Sequence, residues 1–391
     1  VKHKNRGIVL KSLISAGQQS RAELARGTKL SAPTISRIIA ELVSAGIVLE
    51  EGIVQTGDIG APASIVSFNV YAGYVVGINI GESIIQIALS DLGGNVIDME
   101  TTPTKARVGG DRTVEQMVNG CRKLMKRNGV TNDMIWNICV GVPGTVTVDA
   151  DDSIIVKSPD IKDWTHYPLK EELIKRIGVK SVYIENAQNL AVVCEHTIGC
   201  AENYTDVVFI HVKAGIGAGV LINGNLYRGV GGKAGEIGFT MPSVDCAKPD
   251  MDPNKARHGA LEMQIGIRAI LQKMEVSLDD IDNSEDLPDL EQLYQMAADG
   301  DEKLYKIIRS TWDLLGMTAV NICAVLNPQL IVLGGDILPL GEEVRDTITQ
   351  YVQTYYIEPP AVKLSTQGNK TCMYGAVQMA CNRAYQKLGV R

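Results

Sequence analysis

Two serines placed to cap helices, Ser20 and Ser31, cut the start of the chain into short helical pieces and constrain its fold more than any other local feature. Ser20-Arg21-Ala22-Glu23 is a capping box. The serine oxygen accepts from the third helical amide while the glutamate reaches back to the serine amide. Before it, Ile8, Leu10, Leu13 and Ile14 predict one apolar helix face, closed by Ala16-Gly17. After it, Leu24 lies in a short helix, Gly27-Thr28-Lys29-Leu30 makes a turn, and Ser31 opens a third helix with Pro33 in its first turn. Ile35, Ile38, Ile39 and Leu42 share one arc of that helix and face inward. Arg37 points away, flanked by Thr34 and Ser36. Ile47 to Val54 reads as a two-stranded wing, and Gln55 to Ala63, rich in turn residues, as a linker.

Helix, turn, helix and wing in this order predict a winged helix-turn-helix over residues 1–63, linker included. Charge supports the reading. The whole chain carries −7, yet residues 1–49 hold eight Lys or Arg against two acids, leaving a strongly acidic remainder. A small basic head on a large acidic body meets a polyanion through the head alone. Double-stranded DNA is the expected partner, with the third helix in the major groove. Ser31, Thr34, Ser36 and Arg37 are the candidate DNA-contacting residues of that helix, and Lys29, with Arg26, the candidate phosphate contact. One small head makes few contacts, so a homodimer or higher homo-oligomer is expected, reading half-sites about one helical turn (10–10.5 bp) apart.

From Tyr74 the pattern becomes β, with strands at Tyr74–Asn79 and Ile84–Leu89, a turn at Leu92-Gly93-Gly94-Asn95 and a third strand at Val96. A helix follows at about Thr113–Lys126, then a buried strand at Trp136–Val140, strands at Val182–Ile184 and Val207–Val212, and a hairpin turning at Asn223-Gly224. Helices from Leu261 and a strand at Leu330–Leu333 complete the pattern. Strands alternating with helices, twice over, predict an α/β body of two lobes with a ligand cleft between them. No apolar run reaches the roughly 18 residues of a membrane span, and no apolar segment follows the basic start. Neither a membrane nor a secretory role is expected. Eight cysteines without a Cys-x-x-Cys pair read as free thiols of a cytoplasmic protein.

Seven pieces of the body, in order, carry a resemblance. They are Gly77-Ile78-Asn79-Ile80-Gly81, Gly141-Val142-Pro143-Gly144, Glu185-Asn186-Ala187-Gln188-Asn189, Gly215-Ile216-Gly217-Ala218-Gly219, Gly235-Glu236-Ile237-Gly238, Gly259-Ala260-Leu261-Glu262, and Asn327-Pro328 with Gly334-Gly335. The chain resembles the ROK family, the sugar kinases and sugar-responsive repressors of the actin-like ATPase superfold, and the winged head resembles its repressor branch. The resemblance implies a ROK sugar-kinase-like domain over 72–391. Lobe 1 would take about 72–185 plus a C-terminal helix at 373–388, and lobe 2 about 186–372.

The departures from the family pattern bear on function. Where the kinases resemble Asp-x-Gly-Gly-Thr, this chain has Asn79-Ile80-Gly81-Glu82-Ser83, with no metal-side carboxylate and with an acid near the phosphate position. Ala187 stands where the family keeps the aspartate that accepts the sugar hydroxyl proton, and a methyl group accepts no proton. The Gly-Thr-Gly phosphate loop has become Lys213-Ala214-Gly215. The family's four zinc positions fall on Phe239, Pro253, Lys255 and Ala260, and Cys246 and His258 nearby do not complete a tetrahedral set. No catalytic residue and no cofactor, neither zinc nor ATP with Mg²⁺, is therefore expected.

Gly144, Asn186, Glu236 and Glu262 remain as the effector-binding candidates, for a carbohydrate or sugar phosphate or for a less hydroxylated ligand. Glu262 also suits a plain helix start. The leading expectation is a transcriptional regulator, a repressor of carbohydrate-related genes, with a catalytically inactive kinase-like body. Two alternatives stay open: an active sugar kinase using Glu185 or Glu195 as a substitute base, and a regulator answering to a protein partner. Arg122-Lys123 and Lys126-Arg127 read as a solvated helix face, Asp279 to Asp286 as an exposed acidic connection, and Trp164 as a packing residue.

Overall fold

The computed structural model describes residues 2–54, 63–81, 83–105, 108–148, 154–157, 161, 163–164, 167–213, 215–244, 259–277 and 288–390. The head consists of α1 (Lys2–Ala16), β1 (Gln19–Ser20), α2 (Arg21–Thr28), α3 (Ala32–Ser44), β2 (Val48–Val54) and β3 (Ala63–Phe68). Its sheet runs β1-β3-β2.

Three readings of the head are corrected. The wing is not a hairpin within Ile47–Val54. Those residues form the single strand β2, whose partner is β3, with Val48 opposite Phe68 and Glu50 opposite Val66. Gly52, at φ +89°, accommodates the register shift between Glu50 and Ile53 that looked like a turn in the sequence. Ala63, read as linker, opens β3, so the head's sheet extends to Phe68; Gln55 to Pro62 lie outside the described residues. On α1, Ile8 is 36% exposed, while Val9, Leu10 and Leu13 are buried. Ile8 sits a step of about 100° from Val9, off the inward arc.

The body has two sheets built to one plan. The first runs β10-β7-β4-β5-β6, from β4 (Tyr74–Ile80), β5 (Ile84–Asp91), β6 (Val96–Pro103), β7 (Ile135–Val142) and β10 (Val182–Asn186). The second runs β13-β12-β11-β14-β15, from β11 (Val207–Val212), β12 (Ile216–Ile222), β13 (Asn225–Leu226), β14 (Leu330–Gly335) and β15 (Ala361–Leu364). In each, a central strand pairs antiparallel on one side and parallel on the other. A small ribbon, β8 (Thr145–Val148) with β9 (Ile154–Lys157), follows the Gly141–Gly144 loop.

The helices are α4 (Gly110–Arg127), α5 (Leu169–Leu173), α6 (Ala187–Ile198), α7 (Glu262–Ile265), α8 (Ile267–Lys273), α9 (Leu290–Ala298), α10 (Glu302–Leu326), α11 (Gly341–Tyr355) and α12 (Thr371–Lys387). One core joins α4 to the first sheet through Met117, Leu124, Ile78 and Ile138, and Trp164 is buried in it as a packing residue. Another joins α9, α10 and α11 to the second sheet around Trp312 and Tyr294. The basic stretch on α4 is not merely solvated. Arg127 pairs with Asp98 at 2.6 Å and Lys123 pairs with Glu100, both acids on β6. The Asp279–Asp286 stretch lies outside the described residues.

A third core changes the domain picture. It runs from Leu10, Leu13 and Ile39 of the head, through Val66 and Phe68, to Met379, Ala380 and Ala384 of α12. Phe68 meets Tyr385 edge to face, 5.7 Å between ring centres. A side chain at Gly7 of α1 would overlap the Gly389 carbonyl, so only glycine allows this approach. The head is packed onto the end of α12 as well as tethered by the chain.

Candidate DNA-reading helix and effector cleft

In the head, both predicted caps form. The Ser20 amide donates to the Glu23 carboxylate at 2.7 Å and the Glu23 amide to Ser20 Oγ at 3.2 Å, which holds the Glu23 carboxyl below its ordinary range. Ser31 Oγ accepts from the Thr34 amide at 3.4 Å and lies 2.8 Å from Thr34 Oγ1, so these two hydroxyls organise the start of α3. Lys29 takes the left-handed conformation (φ 58°) that ends α2. Lys29, Ser31, Ser36 and Arg37 are exposed and Thr34 is half-buried. Arg37 rests 3.6 Å from Glu41, a surface pair worth little that a phosphate or base edge can replace. Sequence reasoning missed the ties to the wing: Arg21 of α2 pairs with Glu50, Gln18 before β1 donates to Glu51, and Ser67 of β3 donates to the same carboxylate. These are long-range pairings with no local signal.

In the body, Asn186 and Gly144 come together. Asn186 caps α6, its Oδ1 accepting from the Gln188 amide at 2.8 Å and the Asn189 amide at 3.2 Å. Its Nδ2 donates to the Gly144 carbonyl at 2.7 Å. The side chain thus ties the Gly141–Gly144 loop of one sheet to the helix that starts the other lobe. Glu236 and Glu262 form a second pair. Burial, and then the charge of Glu262, push the Glu236 carboxyl up. Glu262 opens α7, as a helix-start acid does, and its carboxylate lies against Gly238 and Gly215. Ala187 is the first residue of α6 and is buried.

Both candidate substitute bases are engaged by neighbouring groups. Glu185 is buried and accepts from Arg228 at 2.6 and 2.8 Å, from Asn189 at 2.9 Å and from the Asn186 amide at 3.0 Å. Glu195 is fully buried and turned to the far side, where it accepts from Ser365 Oγ at 2.7 Å and from the Thr366 and Cys200 amides at 3.0 Å each.

The nucleotide side holds a pair that the sequence did not announce. Lys213 follows β11 and Asp336 follows β14, adjacent parallel strands whose carboxyl ends are the usual place for a ligand. They pair at 3.4 Å. Burial pushes the Asp336 carboxyl up to about 6 against the pull of Lys213. His211 beside them is buried and kept neutral, its imidazole pushed down to about 3 by burial and then by the Lys213 charge. A lysine–carboxylate pair thus stands where a Gly-Thr-Gly loop would receive phosphates.

The residues do not fit the groups the fold implies. Of the four zinc positions, Phe239 and Ala260 offer no donor atom, while Pro253, Lys255, Cys246 and His258 lie outside the described residues. Among the described residues no cluster of three or more His, Cys, Asp or Glu is placed to hold a metal. At the Mg²⁺ position Asn79 presents an amide with a buried, unpartnered Oδ1 and no charge; Glu82 lies outside the described residues.

Residues 75–383 match the ROK family, and residues 4–48 match a winged helix-turn-helix DNA-binding family. The chain belongs to the ROK family. It is 25% identical to a xylose repressor from Caldicellulosiruptor bescii, over 91% of this chain and 90% of the relative. A solved ROK family transcriptional regulator, described as a homologue of the Escherichia coli MLC protein, superposes with a TM-score of 0.77 at 21% identity. It covers 100% of this chain and 98% of its own. A ROK glucokinase from Streptomyces griseus, solved with glucose and AMPPNP, shares the fold with a TM-score of 0.63 at 22% identity, over 79% of this chain and 100% of its own. The full-length likeness is to the regulator; the kinase covers a smaller share of the chain. The fold expected from the sequence, a winged helix-turn-helix followed by a two-lobed ROK kinase-like α/β body, is the one observed. No described helix is long and apolar enough to cross a membrane.

Proposed function

We propose that this ROK protein is a cytoplasmic DNA-binding transcriptional repressor of carbohydrate-related genes, whose kinase-like body holds a sugar or sugar phosphate without phosphorylating it. The observation that carries this reading is Ala187 at the head of α6, with Glu185 and Glu195 both locked in structural bonds. Phosphoryl transfer to a hydroxyl needs an acceptor for its proton, and general-base catalysis contributes roughly 10²–10⁴-fold. Asn79 and the Lys213–Asp336 pair remove the remaining support for Mg²⁺ and phosphate, and Phe239 and Ala260 offer zinc no donor, so the body works without ATP or zinc.

Glu236 and Glu262 supply the hydroxyl acceptors for an effector, and Asn186 with Gly144 positions the loop opposite. Two heads on a homodimer would read two half-sites, and an effector acts by binding one spacing of the heads better than the other. An ATP-coupled assay across a panel of aldoses tests the inactive body: no turnover above background is expected. Turnover that persists in the purified protein and vanishes with Asp336→Ala would overturn the reading in favour of a sugar kinase.

A further inference from the structure

Between Arg228 and Gly235 the chain leaves the second sheet and returns to it with its two feet together. At the first foot the Tyr227 amide donates to the Val220 carbonyl of β12 at 2.8 Å. At the second, the Ala218 amide of the same strand donates to the Gly235 carbonyl at 2.7 Å. The Ala234 amide closes the loop on the Arg228 carbonyl at 3.0 Å. Gly229, Gly231, Gly232 and Gly235 take left-handed φ values from 64° to 86°, a path that glycine follows at little cost. Compact loops with close ends are frequently functional.

The apex of this loop rests on the other lobe. A Cβ at Gly232 would lie 2.1 Å from the Val146 carbonyl oxygen, so the backbone here is seated directly on β8. The β8–β9 ribbon belongs to the first lobe, where Val146, Ile154 and Val156 pack in the core of the first sheet. Gly144 immediately precedes β8, and Glu236 immediately follows the second foot. The seat therefore joins the two walls that carry the effector candidates. A second link crosses at the first foot. Arg228 donates through Nε at 2.8 Å and Nη2 at 2.6 Å to Glu185, which is buried on β10 of the first sheet. Glu185 in turn accepts from the Asn186 amide at 3.0 Å. The root is thus fixed by a charged, largely desolvated grip. The apex is not: Val230 beside it is 97% exposed, and the seat at Gly232 is backbone against backbone. A segment with so little buried side-chain surface opens at low free-energy cost.

We propose that residues 229–235 form a strap that closes the effector cleft, its apex seated on β8 while the lobes are together and lifting when they part. What the closed cleft holds rests on the repressor reading above. The closure itself is a property of the protein alone, and an effector that favours the closed lobes acts by keeping the strap seated.

The test uses the full chain, with trypsin cleavage mapped by mass spectrometry and amide hydrogen exchange. Lys233 lies exposed within the strap, and trypsin cuts after it from the lifted state, so the cutting rate reads the lifted population. Gly231→Ala and Gly232→Ala put the same methyl group at nearly the same φ, 64° and 69°, and share its backbone strain. Only the second meets β8; at Gly231 the nearest atom, Thr147 Cγ2, is 3.9 Å away. Gly232→Ala should speed cutting after Lys233 at least tenfold and speed exchange in residues 145–148 of the other lobe, while Gly231→Ala changes both less than threefold. Arg228→Lys keeps the charge but loses the two-nitrogen grip on Glu185. It should also speed the cut, which keeps the test valid if Gly232→Ala does not fold. Equal cutting in the parent and all three variants would overturn the proposal. So would faster cutting in Gly232→Ala with exchange in 145–148 unchanged, because the strap would then belong to its own lobe alone. The parent is also cut in the presence of D-glucose or D-xylose, and a sugar that holds the lobes together should slow the cut. If neither sugar slows it while the variants behave as expected, the strap stands and the sugar-effector reading fails.

Discussion

Replacing Asn186 with alanine tests whether this side chain is the fastener between the lobes. Two separable interactions are lost. The cap on α6 disappears, leaving the Gln188 and Asn189 amides without their acceptor. Loss of an N-cap typically costs about 0.5–2 kcal/mol. The donor to the Gly144 carbonyl also goes, and a buried polar group left unpaired costs about 1–3 kcal/mol. Asn186→Ala should therefore destabilise the body by roughly 1.5–5 kcal/mol, lowering the melting temperature by about 3–20 °C at 2–4 °C per kcal/mol for a domain of this order.

Asn186→Asp keeps the cap acceptors but turns a carboxylate oxygen towards the Gly144 carbonyl, beside the Glu185 carboxylate, so it should also melt below the parent despite its intact cap. Differential scanning calorimetry of the parent and both variants gives the answer. If Asn186→Ala melts within about 1 °C of the parent, or if the aspartate variant melts as the parent does, the side chain does not join loop to helix as described.

Two further outcomes are expected. Arg37→Ala should weaken operator binding by about 1–3 kcal/mol and relax the preference at one base pair, whereas Lys29→Ala should weaken all sequences alike and reduce the salt slope by about one, as read by fluorescence anisotropy at several salt concentrations. Asp336, with its carboxyl raised to about 6 from 3.8, favours the fold when protonated. Its contribution is present below about pH 4, declines as pH rises towards 6 and is gone above, a change on the order of 3 kcal/mol. Asp336→Asn should flatten that part of the stability–pH curve in urea melts, and an unchanged curve would contradict the burial of this acid.

The helical part of the head was legible in the sequence because its signals are local. A capping box reaches three residues, and Ser20 with Glu23 and Ser31 with Thr34 bond as their spacing predicts. The inward arc of α3, Ile35, Ile38, Ile39 and Leu42, is buried for the same reason: helical period is a property of neighbours in the chain. The motif order of the body carried its family, and the strands lie within a few residues of their predicted places. Where sequence reading failed, the partner was distant. β3 has no place in the sequence reading, whose linker ends at Ala63, because nothing within Ala63–Phe68 says that Val48 and Glu50 will pair with it. The α1 face was misread at Ile8 because apolar content alone does not say which side the rest of the protein will cover.

The candidate site divides in the same way. Ala187 is a fact of the sequence, and no folding can give a methyl group a proton-accepting oxygen. That Glu185 and Glu195 are engaged by other groups is a fact of tertiary structure, decided by Arg228 and by Ser365 and Thr366. The Lys213–Asp336 pair and the packing of the head on α12 belong there too. Side-chain chemistry is written residue by residue, so the sequence determined what each position is able to do. Whether a carboxylate is spent on a neighbour or left facing a cleft depends on groups brought together from remote parts of the chain, and only the folded structure decides that.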